Sequence, residues 1–121
     1  MNSTPLLQIA MDYTSLAKAL AMATLVAPEV DIIEIGTPLC KAAGVEAIRS
    51  MREICPDKLI LADFKTPDVG GLEATMAFDA GADMLTVIGG AAIPTGACAD
   101  GSAERADGSE IPSRDRPARR Y

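Results

Sequence analysis

The 121-residue sequence has no histidine and no tryptophan, and its only aromatic residues are two phenylalanines and two tyrosines. Its three cysteines, Cys40, Cys55 and Cys98, lie far apart and form no C-x-x-C pair. Without histidine or a cysteine pair the chain offers no zinc-binding pattern, and we expect reduced thiols in a cytoplasmic protein. Because 49% of the residues are hydrophobic and few are aromatic, we expect a globular domain with an aliphatic core.

Basic residues and long hydrophobic runs are also scarce. The formal net charge is −6, and only six of the first 94 residues are Lys or Arg, which argues against a nucleic-acid surface. The most apolar run, LAKALAMATLVA, contains Lys18 and is shorter than the roughly 20 residues that span a bilayer. The N-terminal segment MNSTPLLQIAMD lacks the basic start of a signal peptide. We therefore expect binding to neither nucleic acid nor membrane.

Four short runs rich in Leu, Ile and Val are nearly continuous in hydrophobicity, as strands buried on both faces are. Three segments between them have apolar residues at helical spacing. The first has Thr14 or Ser15 as a candidate cap, and the last has Leu72 and Met76 on its predicted buried face. The predicted strands cover residues 6–11, 31–36, 59–64 and 84–89, and the predicted helices cover residues 14–27, 44–55 and 71–82.

This order of strand and helix repeats every 25 to 28 residues, which is the length of a parallel strand with its crossover helix. A barrel segment and an open doubly wound sheet both fit this period. The first strand is followed by MDYTS, which lacks the G-x-G-x-x-G of a dinucleotide-binding fold. The sequence therefore favours a barrel, although 121 residues are fewer than the roughly 200 to 250 of most α/β barrels.

Charged side chains lie at the carboxyl ends of three predicted strands. Asp12 closes the first strand, Glu34 lies late in the second, and Asp63 and Lys65 end the third. Strand alternation predicts that residues 63 and 65 share a face and act together. In a parallel barrel this end of the strands carries the active site. Carboxylates around one lysine suit a hard divalent cation, and Mg²⁺ fits best, with Glu34 and Asp63 as sufficient protein ligands.

Each of these charges also has a structural alternative. Asp12 could cap the first helix, Glu34 could pair with Lys41, and Asp68 could cap the third predicted helix. Four charges at the ends of three consecutive strands would nevertheless be costly to desolvate without a function. Taken together, they favour an active site.

The stretch ADFKTPD carries a D-x-K-x-x-D motif made of Asp63, Lys65 and Asp68. With LLQIAMD, VDIIEIGTPLCKAAGVEAIRSMRE and PDKLILADFKTPDVGGLEATMAFDAGADMLTVIGGAA, the motif resembles the orotidine-5′-phosphate decarboxylase superfamily, and within it the 3-hexulose-6-phosphate synthase family. The resemblance runs from about residue 5 to residue 94. It implies that residues 1–94 form the N-terminal half of a TIM (β/α)8 barrel, with about four parallel strands and three helices.

The resemblance also implies an activity, the Mg²⁺-dependent condensation of formaldehyde with D-ribulose 5-phosphate through an enediolate that the metal stabilises. Glu34 and Asp63 would bind the metal, and Lys65 would hydrogen-bond the enediolate oxygens that the metal stabilises. Asp12 would orient Lys65 or a substrate hydroxyl. Asp68 would reach the site of a neighbouring subunit, which implies a homodimer. The phosphate-binding residues of this superfamily would lie in the second half of the barrel.

Three other interpretations remain open. The 3-keto-L-gulonate-6-phosphate decarboxylase family shares the same pattern of Asp, Glu and D-x-K-x-x-D, and the continuation KTPDVGGLEA favours the synthase over it. Orotidine-5′-phosphate decarboxylase itself fits less well, because that enzyme has a lysine on its second strand, and this chain has Glu34 there instead. The third is a non-catalytic remnant, in which a half barrel only assembles with itself or with a partner.

From about residue 95 the composition changes. TGACADGSAERADGSEIPSRDRPARRY has Ile111 and Tyr121 as its only large apolar residues and holds five of the seven arginines, balanced by five acidic residues. This composition cannot bury enough surface to offset the ordering entropy, so residues 95–121 are predicted to be a disordered tail outside the family domain. The abrupt change suggests a shifted reading frame or a truncated gene model, and a four-stranded fragment would have open sheet edges.

Overall fold

A computed structural model describes residues 4–88. These residues form one sheet of four parallel strands with helices between them. The strands are β1 Gln8–Met11, β2 Ile32–Ile35, β3 Leu59–Thr66 and β4 Met84–Val87, and the helices are α1 Leu16–Val26, α2 Thr37–Ala43, α3 Val45–Ile54 and α4 Gly70–Ala80. A short 3-10 turn, Ala27–Glu29, follows α1.

The strand order in the sheet is β1-β2-β3-β4, the same as the order along the chain. A barrel wall is built in this way, whereas a doubly wound sheet reverses its strand order at a switch point. All four predicted strands are present, with ends shifted by up to two residues. The prediction of a parallel barrel segment is therefore confirmed.

The core lies between the sheet and the helices and is aliphatic, as the composition predicts. Ile33, Ile35 and Ile60 from the sheet are fully buried, and they form one cluster with Leu39 of α2 and Met51 of α3. Burial alternates at the start of β3, where Ile60 and Ala62 are buried and Leu59 and Leu61 are half-buried, so the two faces of the sheet are not equally covered. None of the helices within residues 4–88 is long and apolar enough to cross a bilayer.

The structure has four helices where the sequence predicted three. The additional helix, α2, is only seven residues long and has Pro38 in its first turn, where the missing backbone N–H is tolerated. It ends at Gly44, whose φ of 60° stops the helix before α3 begins. Two turns are too short to show a clear hydrophobic period, which is why the pattern missed this helix.

The buried face of α4 also differs from the prediction. Leu72 is 62% exposed and Met76 is 44% exposed, whereas the buried side chains are Ala74, Ala77 and Ala80. Alanines and larger apolar residues both recur at helical spacing in GLEATMAFDAGA, so periodicity alone could not select the face. The small side chains lie inward, where α4 contacts α3 and the sheet.

The residues at the N-termini of α1 and α4 rule out two of the structural roles considered for the charged residues. The Ser15 hydroxyl caps α1 by accepting a hydrogen bond from the backbone N–H of Lys18 at 3.4 Å, so Asp12 is not this cap. The N-cap residue of α4 is Val69, which makes no side-chain cap, so Asp68 does not cap that helix either. Val69 has a φ of 47°, an unusual conformation for a β-branched residue.

The amino ends of β3 and β4 are joined by one side chain of α3, Arg52. Its guanidinium donates to the carbonyl oxygens of Gly81 at 3.0 Å, Lys58 at 2.8 Å and Pro56 at 3.2 Å. It also pairs with the Asp83 carboxylate, and both side chains are less than a fifth exposed. These contacts stabilise the fold and are not part of the candidate site, because active sites of parallel barrels lie at the opposite end of the strands.

Candidate active site

The predicted charged residues lie at the carboxyl ends of β1, β2 and β3. Asp12 directly follows β1, Glu34 lies in β2, and Asp63 and Lys65 lie in β3. Asp63 is one of two buried polar residues in the described chain, at 7% exposure, whereas the Lys65 side chain is 56% exposed. The site therefore has a buried anion at its base and an accessible cation above it.

Asp63 accepts hydrogen bonds on both carboxylate oxygens. Oδ2 accepts from the Lys65 ammonium and from the Thr37 hydroxyl, the latter at 2.7 Å. Oδ1 accepts from the Thr86 hydroxyl at 2.7 Å. Burial by itself would raise the pKa of the Asp63 carboxyl, but the bonds from Lys65, Thr37 and Thr86 outweigh burial and lower the pKa to about 2. Asp63 is therefore an anion at any physiological pH.

Glu34 lies beside this network in a different environment. Its Oε2 accepts a hydrogen bond from the Gln8 side-chain amide at 2.6 Å, and it does not pair with Lys41. Burial raises the pKa of Glu34; the Gln8 bond lowers it, and the nearby Asp63 and Asp12 carboxylates raise it further. Two adjacent carboxylates on neighbouring strands thus repel each other, and a cation between them would relieve that repulsion.

Lys65 reaches Asp63 by a route that strand alternation did not predict. The pairing of β3 with β4 shifts register between Ala62 and Thr66, and Lys65 lies in this bulge with a φ of 52°. Its Nζ donates to the Asp63 carboxylate and to the Thr37 hydroxyl, the latter at 2.6 Å. The hydrogen bond to Asp63 raises the pKa of Lys65. The predicted grouping is present, but the bulge and not simple alternation produces it.

Asp12 lies at the edge of this cluster and is exposed. Its Oδ1 lies so close to Gly36 that a Cβ built there would be 2.0 Å from it, which explains why glycine follows β2. Its charge adds to the upward shift of the pKa of Glu34 and of Lys65. The structure therefore brings Asp12, Glu34, Asp63 and Lys65 together.

Asp68 is separate from these four residues. It is exposed in the loop between β3 and α4, and it has no hydrogen bond or ion pair to any residue that the structure describes. Its carboxylate is accordingly available to another molecule.

Sequence reasoning missed three uncharged members of the site, Gln8, Thr37 and Thr86. Each holds a charged group: Gln8 binds Glu34, and the two threonines bind Asp63. Thr37 follows the second strand in EIGTP and Thr86 lies inside an apolar strand, so neither produced a charge signal. A search for hydroxyls at strand ends could have found Thr37, whereas Thr86 depends on the pairing of β3 with β4.

The donor set of the site fits a hard cation. No group of three or more His, Cys, Asp or Glu side chains within residues 4–88 gathers closely enough to hold a metal by itself. Mg²⁺, however, typically takes one or two protein carboxylates and completes its octahedron with water and substrate oxygens. Glu34 and Asp63 are such a pair, and each keeps lone pairs beyond the hydrogen bonds described above.

A groove near the site lies between α2, β3 and α4 and is lined in part by Thr37, Lys41, Phe64 and Glu73. It shares Thr37 with the charged cluster but contains neither of the paired carboxylates. We therefore take the charged cluster, and not this groove, as the candidate active site.

The chain is similar in sequence to a known protein family. A family model described as "Orotidine 5′-phosphate decarboxylase / HUMPS family" matches residues 5–106. The chain belongs to this family. The match includes all five predicted site residues and agrees with the resemblance carried by ADFKTPD. Proteins of this family with solved structures are TIM barrels, so the three βα units and the fourth strand described here are part of such a barrel.

Two kinds of relative are almost equally similar to the chain. The 3-hexulose-6-phosphate synthase of Mycobacterium gastri is 52% identical over 85 residues, which cover 70% of this chain and 41% of the relative. The 3-keto-L-gulonate-6-phosphate decarboxylase SgbH of Escherichia coli K12 is 47% identical over 93 residues, which cover 77% and 42%. Both relatives are lyases, and their sequence identities to this chain, 52% and 47%, are too similar to separate the two activities.

A solved structure of KGPDC from Streptococcus mutans, in complex with D-R5P, superposes with a TM-score of 0.77 and 41% identity. The superposition covers 80% of this chain and 47% of that one. The chain thus spans less than half the length of the relatives it matches. The predicted boundary at residue 94 stays a prediction, because residues 89–121, including the predicted disordered tail, lie outside the described residues.

Proposed function

We propose that this chain carries the charged half of a 3-hexulose-6-phosphate synthase site, which condenses formaldehyde with D-ribulose 5-phosphate. The observation that supports this most is the buried Asp63 anion, paired with an accessible Lys65 and adjacent to Glu34. The similarity to a synthase and to a decarboxylase that act on sugar phosphates supports the same class of substrate.

In this proposal Lys65 binds the substrate directly. A lysine ammonium has three N–H donors, and two of them point to Asp63 and Thr37. The third remains for a sugar oxygen, and the 56% exposure of the side chain gives that oxygen access. Because its pKa is raised, Lys65 stays cationic and stabilises negative charge as it develops on the sugar.

Glu34 and Asp63 would hold Mg²⁺, and the ion when bound would supply Lewis-acid stabilisation of negative charge on sugar oxygens. Asp63 suits this role because it remains ionised, with its orientation fixed by two threonines. Asp12 would orient Lys65 or a substrate hydroxyl from the open side of the cluster. These roles complement one another, since the carboxylates bind the cation and the lysine binds the substrate.

We further propose a cytoplasmic homodimer in which Asp68 reaches the site of the second subunit. Its exposed carboxylate, which has no partner in the described part of the chain, supports this role. A complementation experiment tests it. Mixing an Asp68→Ala variant with a Lys65→Met variant should give more activity than either variant alone, because mixed dimers regain one intact site. No gain on mixing would contradict the exchange of Asp68 between subunits.

The second candidate is a 3-keto-L-gulonate-6-phosphate decarboxylase, favoured by the 47% identity to SgbH. The two reactions need the same stabilisation, because one produces negative charge by losing a proton from carbon and the other by losing carbon dioxide. The charged cluster serves both, so only the choice of substrate distinguishes them.

An assay of the full 121-residue chain separates these possibilities. The chain is given Mg²⁺, ribulose 5-phosphate and formaldehyde, and the loss of formaldehyde is measured; in parallel it is given 3-keto-L-gulonate 6-phosphate, and carbon dioxide release is measured. We expect formaldehyde loss, reduced by at least about 100-fold in Lys65→Met because an electrostatic donor is lost. Lys18→Met, on the exposed side of α1, is the matched control and should retain activity.

Each outcome has a definite meaning. Carbon dioxide release without formaldehyde loss would favour the decarboxylase and reject the synthase for this chain. Absence of both activities would favour the non-catalytic remnant. Equal activity in Lys65→Met and the parent would reject the proposed role of Lys65 whichever substrate is used.

A further inference from the structure

The bulge in β3 interrupts the sheet ladder at Lys65. Between the pairs Ala62–Leu85 and Thr66–Val87, β3 advances by four residues while β4 advances by two. The N–H of Lys65, inside this bulge, therefore needs another acceptor. It donates to the Thr86 hydroxyl oxygen at 2.9 Å. A side chain of β4 thus replaces the missing ladder partner.

The same hydroxyl has a second bond in the opposite direction. As a donor it binds Oδ1 of Asp63 at 2.7 Å. A threonine hydroxyl has one proton to donate and two lone pairs that accept, so both bonds can form at once. Thr86 therefore connects the backbone of Lys65 to the carboxylate of Asp63, which are the two charged members of the D-x-K pair.

This connection matters because the conformation of Lys65 is unfavourable by itself. A φ of 52° places a non-glycine residue in the left-handed region, which persists only where surrounding bonds enforce it. The ion pair with Asp63 holds the end of the Lys65 side chain, and Thr86 holds its backbone.

We propose that Thr86 is a positioning residue, whose hydroxyl sets the backbone of Lys65 and the orientation of the Asp63 carboxylate together. In this role it acts through its contacts with the Lys65 N–H and the Asp63 carboxylate. Residues behind a metal ligand that fix its orientation typically change metal affinity by about 10- to 100-fold when they are removed. The part of this inference that concerns Mg²⁺ rests on the proposed function, whereas the part that concerns the Lys65 backbone does not.

Two variants of the full chain test the hydroxyl separately from the shape of the side chain. Thr86→Val keeps the branched shape and the strand propensity but removes the hydroxyl, and Thr86→Ser keeps the hydroxyl. Thr24→Val is the matched control, because its hydroxyl donates to Leu20 inside α1 at 2.9 Å, far from the bulge in the chain. Should Thr86→Val fail to fold, Thr86→Ala removes the hydroxyl without a second branch.

Two measurements are made on each variant, the hydrogen-exchange rate of the Lys65 amide and the dissociation constant of Mg²⁺. We expect Thr86→Val to speed exchange at Lys65 relative to its neighbours and to weaken Mg²⁺ binding by about 10- to 100-fold. Thr86→Ser and Thr24→Val should resemble the parent in both measurements. A merely structural role would instead speed exchange across the whole sheet and would not be rescued by serine.

Unchanged exchange at Lys65 in both variants without the hydroxyl would overturn the inference, as would Thr86→Ser behaving like Thr86→Val. Failure of the proposed function is distinguishable from this result. If the parent chain binds no Mg²⁺, the metal assignment is rejected, while the exchange rate of the Lys65 amide still decides whether Thr86 positions the bulge.

Discussion

Replacing Arg52, which lies on α3 against the amino ends of β3 and β4, should strongly destabilise the protein. In Arg52→Met the aliphatic stem is kept, while the guanidinium that binds three carbonyl oxygens and Asp83 is removed. The stem matters because it packs on Gly81, where a Cβ would lie 3.0 Å from the Arg52 Cγ. Methionine preserves this packing, so the variant measures the loss of the polar contacts.

The magnitude follows from the burial of the ion pair. The side chains of Arg52 and Asp83 are 13% and 17% exposed. Removing one partner of a fully buried pair costs about 3–5 kcal/mol, whereas exposed pairs contribute about 1 kcal/mol or less. Asp83 retains one bond in the variant, from the backbone N–H of Ile60 at 2.8 Å. We therefore expect the free energy of unfolding to fall by about 3 kcal/mol.

Urea unfolding followed by circular dichroism measures this loss. Arg49→Met in the same helix is the matched control, because the Arg49 and Glu46 side chains are 54% and 61% exposed and 3.7 Å apart. The control should lose less than about 1 kcal/mol. Asp83→Asn combined with Arg52→Met should recover part of the loss, since the uncompensated charge is removed. A loss in Arg52→Met no larger than that in Arg49→Met would refute this reasoning.

Three further predictions concern the site and its surroundings. The folded pKa of Asp63, about 2, lies below its unfolded value, so the stabilisation from this carboxylate is present above about pH 4 and is lost as the pH falls toward 2. In EDTA, Asp63→Asn should therefore lower the free energy of unfolding at pH 7 by about 2–3 kcal/mol and flatten the dependence of that free energy on acid pH. An unchanged acid dependence would contradict this prediction. Burial raises the pKa of the Cys40 thiol to about 11, so alkylation by iodoacetamide, followed by peptide mass spectrometry, should be slow at pH 8 and rise steadily toward pH 11; a plateau below pH 9 would count against it. Val69→Gly should raise the free energy of unfolding by up to about 1 kcal/mol in thermal unfolding, because glycine relieves the strain of the left-handed conformation and the 58% exposed valine side chain contributes little packing. A lower melting temperature would argue against strain at Val69.

The candidate site contributes to stability as well as to the proposed chemistry. Asp63 is buried, hydrogen-bonded on both carboxylate oxygens and paired with Lys65, so the network holds the carboxyl ends of β3 and β4 to the start of α2. Lys65 near the end of β3 and Val69 before α4, four positions apart, both adopt the left-handed conformation. Strained residues next to a rigid anion are typical of functional sites.

The sequence by itself determined the strands, most of the helices and the charged residues of the site. Continuous runs such as DIIEI specify strands buried on both faces, and ADFKTPD brings Asp63, Lys65 and Asp68 within six positions of one another. These features are local, because hydrophobic period and motif spacing are properties of neighbouring residues. For the same reason the pattern missed the short helix α2, and it selected the wrong face of α4, where two apolar stripes compete.

Only the tertiary structure decided how the charged residues meet. Thr37 lies 26 positions from Asp63 in the sequence, and Thr86 lies 23 positions from it, yet both donate to its carboxylate. The bulge at Lys65 likewise depends on how β3 pairs with β4. Register and hydrogen bonding between strands are set by contacts across the sheet, which a local pattern does not contain. The sequence therefore identified the charged residues of the site, and the pairing of the strands determined their positions.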